Sequence, residues 1–161
     1  MLSLCLPRAE SYAQERPGTF AALMDLYERN YIQIRRLAPI LPAVHHRCIS
    51  QVPGALDLHL CVLERCRYTS ELILTYRFRR EDGADTAEPA LRIRVYHDAR
   101  QAEVTAAHFR HLVTLASSRH SGPAANNPQL LSRWRSNRFL YKWLAYCLRQ
   151  GHRFPKRNIF D

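Results

Sequence analysis

The sequence predicts a single α+β domain: an antiparallel sheet of about four strands flanked by an N-terminal and a C-terminal helix. Three observations predict it. Four runs between residues 56 and 106 alternate apolar and polar side chains with period two, the pattern of half-buried strands. Polar loops join these runs in succession, as in a meander of hairpins. On either side, residues of about 20–37 and 128–150 repeat their apolar positions at helical spacing and supply the cover that an apolar sheet face needs.

The elements follow in order. Residues 1–16 show no clear periodicity and read as a loosely ordered extension. Pro17 and Gly18 break the chain, and Thr19 is placed to cap a helix. Phe20, Leu23, Tyr27, Ile34 and Leu37 form that helix's apolar stripe, and Pro39 and Pro42 end it. Asn30 falls on the stripe, so its amide must find partners; a tie to a neighbouring loop is expected. Arg29, Arg35 and Arg36 lie off the stripe, on a solvated face. Residues 40–55 read as an irregular connection, in which His45 and His46 lack a third metal ligand at useful spacing.

Leu56, Leu58, Leu60 and Val62 mark the first strand; Leu72, Leu74, Tyr76 and Phe78 mark the second, with a turn or bulge at 66–70 between them. The polar stretch 79–89, broken by Gly83 and Pro89, leads into a hairpin. In that hairpin Leu91, Ile93, Val95 and His97 alternate with Arg92, Arg94, Tyr96 and Asp98. Ala102, Val104 and Ala106 alternate with Glu103 and Thr105 on the return. The two apolar sets share a face only if the loop holds an even number of residues. That parity sets Val95 opposite Ala102, Ile93 opposite Val104 and Arg94 opposite Glu103. A four-residue loop, His97–Arg100, satisfies it with no positive φ, which a two-residue turn at Asp98 and Ala99 would require.

Ser117–Pro128 reads as a long loop rich in Ser, Pro and Asn that can cross the sheet. Asn127 and Pro128 open the closing helix, and Gly151 ends it. Leu130, Trp134, Leu140, Trp143, Leu144, Cys147 and Leu148 make a broad stripe, so this helix is expected to contribute most to the core. The domain therefore spans 17–151, and 152–161 reads as a basic tail with two aromatics.

Composition bounds the function classes. At 161 residues, 47% hydrophobic and 24% charged, the chain suits one globular domain. No apolar run approaches the ~20 residues that span a membrane. The first six residues are too short for a signal peptide and lack a basic start. A cytoplasmic protein with no membrane partner is expected. Five cysteines, an odd number with no CxxC, give neither metal-ligand spacing nor a disulfide framework. The net charge of +10 admits a polyanion partner. It also admits a compositional origin, because Lys142 and Lys156 are the only lysines among 24 basic residues and arginine excess follows GC-rich genomes.

Four motifs carry a resemblance. They are LYERNYIQIRRLAP at 26–39, RYT at 67–69, VYHDA at 95–99 with AEV at 102–104, and FLYKWLAYCL at 139–148 with Gly151. In this order they resemble the YqiB-like family of small gammaproteobacterial proteins that carry a domain of unknown function. The resemblance covers about residues 20–151. It implies a cytoplasmic bacterial protein and transfers no catalytic residue to any position.

Three candidate sites stand out. His97 could serve as a general base with Asp98 or Glu103, yet strand parity sends His97 to the apolar side and Asp98 to the other. No GxSxG, P-loop, GxGxxG or HExxH accompanies them, so a structural hydrogen-bonding role is preferred. Arg67, Tyr68 and Thr69 could hold a phosphate or carboxylate, unless Arg67 pairs with Glu64 or Glu71. Arg77, Arg92, Arg94 and Tyr96 could share an open sheet face for single-stranded nucleic acid, with Glu103 neutralising part of it. Nothing implies a cofactor or a metal. The expected function is a non-enzymatic binding or adaptor protein that recognises another protein or a small anionic ligand. RNA or single-stranded nucleic-acid binding is the alternative, and a nucleotide-related enzyme built on His97, Asp98 and Glu103 comes third.

Overall fold

The Thr19 hydroxyl accepts a hydrogen bond from the Ala22 amide at 3.2 Å and so caps α1, Phe20–Leu37. The computed structural model describes residues 18–108 and 128–155. The extension at 1–16, the loop from Ser117 with its Asn127 cap, and the last residues of the basic tail lie outside the described residues. Ala22, Leu23, Leu26, Tyr27, Asn30, Ile34 and Leu37 form the buried side of α1. Phe20, expected on that stripe, is 65% exposed because it precedes the part of the helix that packs.

Five antiparallel strands follow as a meander in chain order: β1 Arg47–Ser50, β2 Asp57–Arg65, β3 Thr69–Arg79, β4 Asp85–Tyr96 and β5 Gln101–His108. The expectation of about four strands is corrected to five. The additional strand, β1, lies inside 40–55, which reads as irregular because four residues on a sheet edge carry too little alternation to register. α2, Pro128–Gln150, closes the fold.

The β4–β5 pairing is the expected one, with Val95 opposite Ala102, Ile93 opposite Val104 and Arg94 opposite Glu103. His97–Arg100 makes the loop. Arg100 takes φ 53°, so the turn does use one left-handed residue, against expectation. The chain must reverse within four residues, and the last of them absorbs the rotation. One bulge follows, in which Thr105 is passed over between Val104 and Ala106 and donates its hydroxyl to the Arg92 carbonyl at 3.3 Å.

One sheet face is apolar: Leu58, Leu60, Val62, Leu72, Leu74, Tyr76, Leu91, Ile93, Val95 and Ala102 pack against Ile34 and Leu37 of α1 and Leu140, Trp143, Leu144 and Cys147 of α2. The Tyr76 ring meets Trp143 edge-on at 5.4 Å, and its hydroxyl lies 3.2 Å from the Cys147 thiol. Beyond Gly151, in the segment read as a tail, the chain returns to this core. His152 is fully buried with Nδ1 3.0 Å from the Ser50 hydroxyl, and the Phe154 amide donates to the Leu37 carbonyl at 2.8 Å.

The two sheet edges differ. The β5 edge is sealed by helices. The Val104 amide donates to Asn137 Oδ1 of α2 at 3.1 Å, and Asn30 Nδ2 of α1 donates to the same oxygen and to the Asn137 carbonyl at 3.3 Å. Asn30 thus ties to a helix rather than to the loop expected of it. Asn137 itself donates to the Arg133 carbonyl at 2.9 Å and is fully buried. β1 pairs with β2 alone among the described residues.

Candidate functional site

The sequence-predicted residues divide between two faces and one sheet end. His97 lies just beyond β4, half-buried on the core side, where its Nε2 meets the Ser70 hydroxyl at 2.8 Å. Ser70 is itself 1% exposed, because it is the β3 residue opposite Val95. Burial depresses the His97 pKa below the ordinary imidazole value, and Arg35 and Arg65 add to this while Asp98 opposes it. Asp98 is exposed on the turn.

Glu103 lies on the opposite face, where it accepts the Tyr96 hydroxyl at 2.6 Å and the Tyr27 hydroxyl at 2.9 Å. Tyr27 comes from α1, which flanks β5, so Glu103 fastens the helix to the sheet edge. Burial first, then this carboxylate, raises both phenol pKa values. His97 and Glu103 therefore share no site. Among the described residues no carboxylate hydrogen-bonds the His97 ring, and the Ser70 hydroxyl is closed to substrate. A nucleophile–base–orienter arrangement is not assembled there.

The face carrying Arg77, Arg92, Arg94 and Tyr96 is shared as the register implies, but its cations are matched. Arg92 Nη2 lies 2.8 Å and Arg94 Nη2 3.6 Å from Glu71, and Arg77 Nη1 lies 3.2 Å from Asp85. The Arg92 hydrogen bond holds the Glu71 carboxyl below the usual carboxylate range against the opposing effect of burial. Arg67 pairs with neither Glu64 nor Glu71 among the ion pairs of the described residues; its guanidinium stacks over the exposed Tyr68 ring at 5.1 Å. Thr69 opens β3 opposite Tyr96, and its carbonyl accepts the Cys66 amide at 2.7 Å. The Tyr68 carbonyl accepts the His97 amide at 2.8 Å, so the β2–β3 and β4–β5 turns are bound together at one end of the sheet. Arg65 caps that end by donating to the Leu41 and Pro42 carbonyls at 3.0 Å.

Among the described residues no three His, Cys, Asp or Glu side chains stand where they could hold a metal ion. Among those residues no helix is long and apolar enough to cross a membrane. Cys61, Cys66 and Cys147 form no disulfide, and burial pushes the Cys147 thiol up to about 11, out of the reactive range.

Sequence reasoning missed two surfaces. The segment around β1 has exposed aliphatic residues: Ile40, Val44, Ile49 and Leu56, each 40–54% exposed. Their signal in the sequence is an aliphatic residue where a connection is otherwise polar. The outward side of α2 carries cations on a helix that itself holds no Asp or Glu, a pattern visible in the sequence once the helix is placed.

The family model described as a protein of unknown function (DUF1249) matches residues 33–153. The uncharacterized protein YqiB of Escherichia coli K12 is 32% identical over 134 residues, covering 82% of this chain and 90% of the relative. The proteins of the same description from the O6:H1 and O157:H7 strains match to the same extent. No solved structure matches. The motifs at 26–39, 67–69, 95–104 and 139–151 lie mostly within the matched span, and their side chains build the α1–β5–α2 junction and the paired turns; the chain belongs to the DUF1249 family of proteins of unknown function.

Proposed function

We propose that the chain is a non-enzymatic adaptor that binds a protein partner by adding an extended segment of that partner to β1. The carrying observation is the asymmetry of the sheet edges. A strand at the end of a sheet can take on a further strand, and proteins ordinarily cover or charge such edges. Here β5 is tied to α2 through Asn137, whereas β1 pairs with a strand on one side only among the described residues and carries the 54%-exposed Ile49. Backbone pairing would supply affinity, and Ile40, Val44, Ile49 and Leu56 would supply contacts for alternate aliphatic side chains of the partner. The dispersal of His97, Asp98 and Glu103 supports binding over catalysis. The matched sheet arginines favour a protein over a small anion at the sheet face.

The test is affinity capture with the full tagged chain from lysate of its host, with nuclease present. The wild type is expected to retain a stoichiometric protein. Ile49→Asp places a charge on the edge without touching the core and is expected to lower that capture about tenfold or more, with an unchanged melting temperature. Equal capture by wild type and Ile49→Asp, or no nuclease-resistant partner, overturns the proposal.

A further inference from the structure

The positive charge is segregated. From Val104 to Phe160 the sequence holds ten Arg or Lys residues and no Asp or Glu. A compositional bias toward arginine does not remove acidic residues from such a length, so the excess calls for a local explanation. On α2 the structure supplies one. Arg135, Arg138, Lys142, Tyr146 and Arg149 are all exposed, and their spacing of three, four, four and three residues lines them along one side of the helix. The ridge is about 21 Å long at ~1.5 Å per residue.

Among the described residues its cations have no acidic partner. The ion pairs of the described residues join Arg29 to Asp25, Arg77 to Asp85, Arg80 to Asp82, and Arg92 and Arg94 to Glu71; none reaches the ridge. Arg138 is held over the Trp134 ring at 5.0 Å, which orders its guanidinium without neutralising it. Tyr146 is 46% exposed in the same line. Tyr146 stands outside the core cluster, in line with these cations.

We infer that this ridge binds the phosphodiester backbone of a single-stranded nucleic acid. Arg135, Arg138, Lys142 and Arg149 contact successive phosphates, and Tyr146 stacks on a base. Repeated cations one helical turn apart match a polymer of evenly spaced negative charge. The in-line aromatic favours a strand whose bases are free to stack over a closed duplex. The site is distinct from the β1 edge and does not depend on it.

The test is fluorescence anisotropy of the full chain with a labelled 20-nucleotide uridine RNA. Thymidine DNA of the same length and a duplex RNA form separate arms. Four phosphate contacts predict a log–log salt slope of about −3 at roughly 0.7 per contact. The Arg135→Gln/Arg138→Gln/Lys142→Gln variant is expected to bind about tenfold or more weakly and to reduce the slope to about −1. A charge-matched control, Arg36→Gln/Arg79→Gln/Arg80→Gln, is expected to bind within about threefold of wild type, and circular dichroism reports the fold of both. The RNA and DNA arms report whether the sugar matters. Absent binding, equal loss in both variants, or a clear preference for the duplex overturns the inference.

Discussion

Asn137→Ala is expected to lower stability by about 3 kcal/mol and the melting temperature by roughly 6–12 °C. The side chain is fully buried, and its Oδ1 accepts from the Val104 amide at 3.1 Å and from Asn30 Nδ2 at 3.3 Å. Removing it leaves a backbone N–H and an amide group in the interior without this acceptor, and each unmet donor costs about 1–3 kcal/mol. The loss falls where α1, α2 and β5 meet, so the edge strand loses its seal together with the helices. Asn30→Ala removes one of the two donors and is expected to cost about 1–2 kcal/mol. The double variant is expected to cost less than the sum, because the two share a bond. Urea denaturation of the three variants measures the coupling; additive losses would show that the amides act independently.

Glu71→Ala is expected to cost about 2 kcal/mol at neutral pH. The carboxylate side chain is only 9% exposed and lies 2.8 Å from Arg92 Nη2, while the arginines are 48% and 44% exposed and can turn to water when it is removed. That freedom keeps the cost below the figure for a wholly buried pair. The pH dependence has a definite sign. Arg92 depresses the folded-state pKa of Glu71 below the ordinary glutamate value of 4.5. As pH falls below that value the unfolded chain takes up the proton first. The stabilisation from Glu71 is therefore complete above about pH 4.5 and is lost as pH falls through the folded value. The stability gap between wild type and Glu71→Ala should shrink over that range in urea titrations. A gap that holds constant to pH 3 would mean that the ion pair is not its source.

The hairpin was the most legible part of the chain, because strict alternation on both strands leaves one parity for the loop and so one register. His97 against Asp98 was legible for the same reason. β1 was not, since Arg47–Ser50 has no alternation long enough to separate it from a connection. The left-handed Arg100 is not legible, because positive φ is expected at Gly or Asn, not at arginine. Asn30 could be flagged from its place on an apolar stripe, but its partner could not be named. Asn137 occupies the matching place on α2, and two amides on facing stripes are the signal that would have joined them. Glu103 was placed opposite Arg94 correctly, yet its partner Tyr27 lies 76 residues away, beyond any local pattern. The sheet arginines read as a binding face because their acids, Glu71 and Asp85, become neighbours only through strand pairing.

The central claim is that β1 is the docking edge. Its most direct test is amide hydrogen exchange of the full chain, alone and with the captured partner. Amide exchange across residues 47–50, centred on the exposed Ile49, is expected to slow about tenfold or more in the complex. A bound partner that leaves exchange at 47–50 unchanged while protecting another surface would contradict the account.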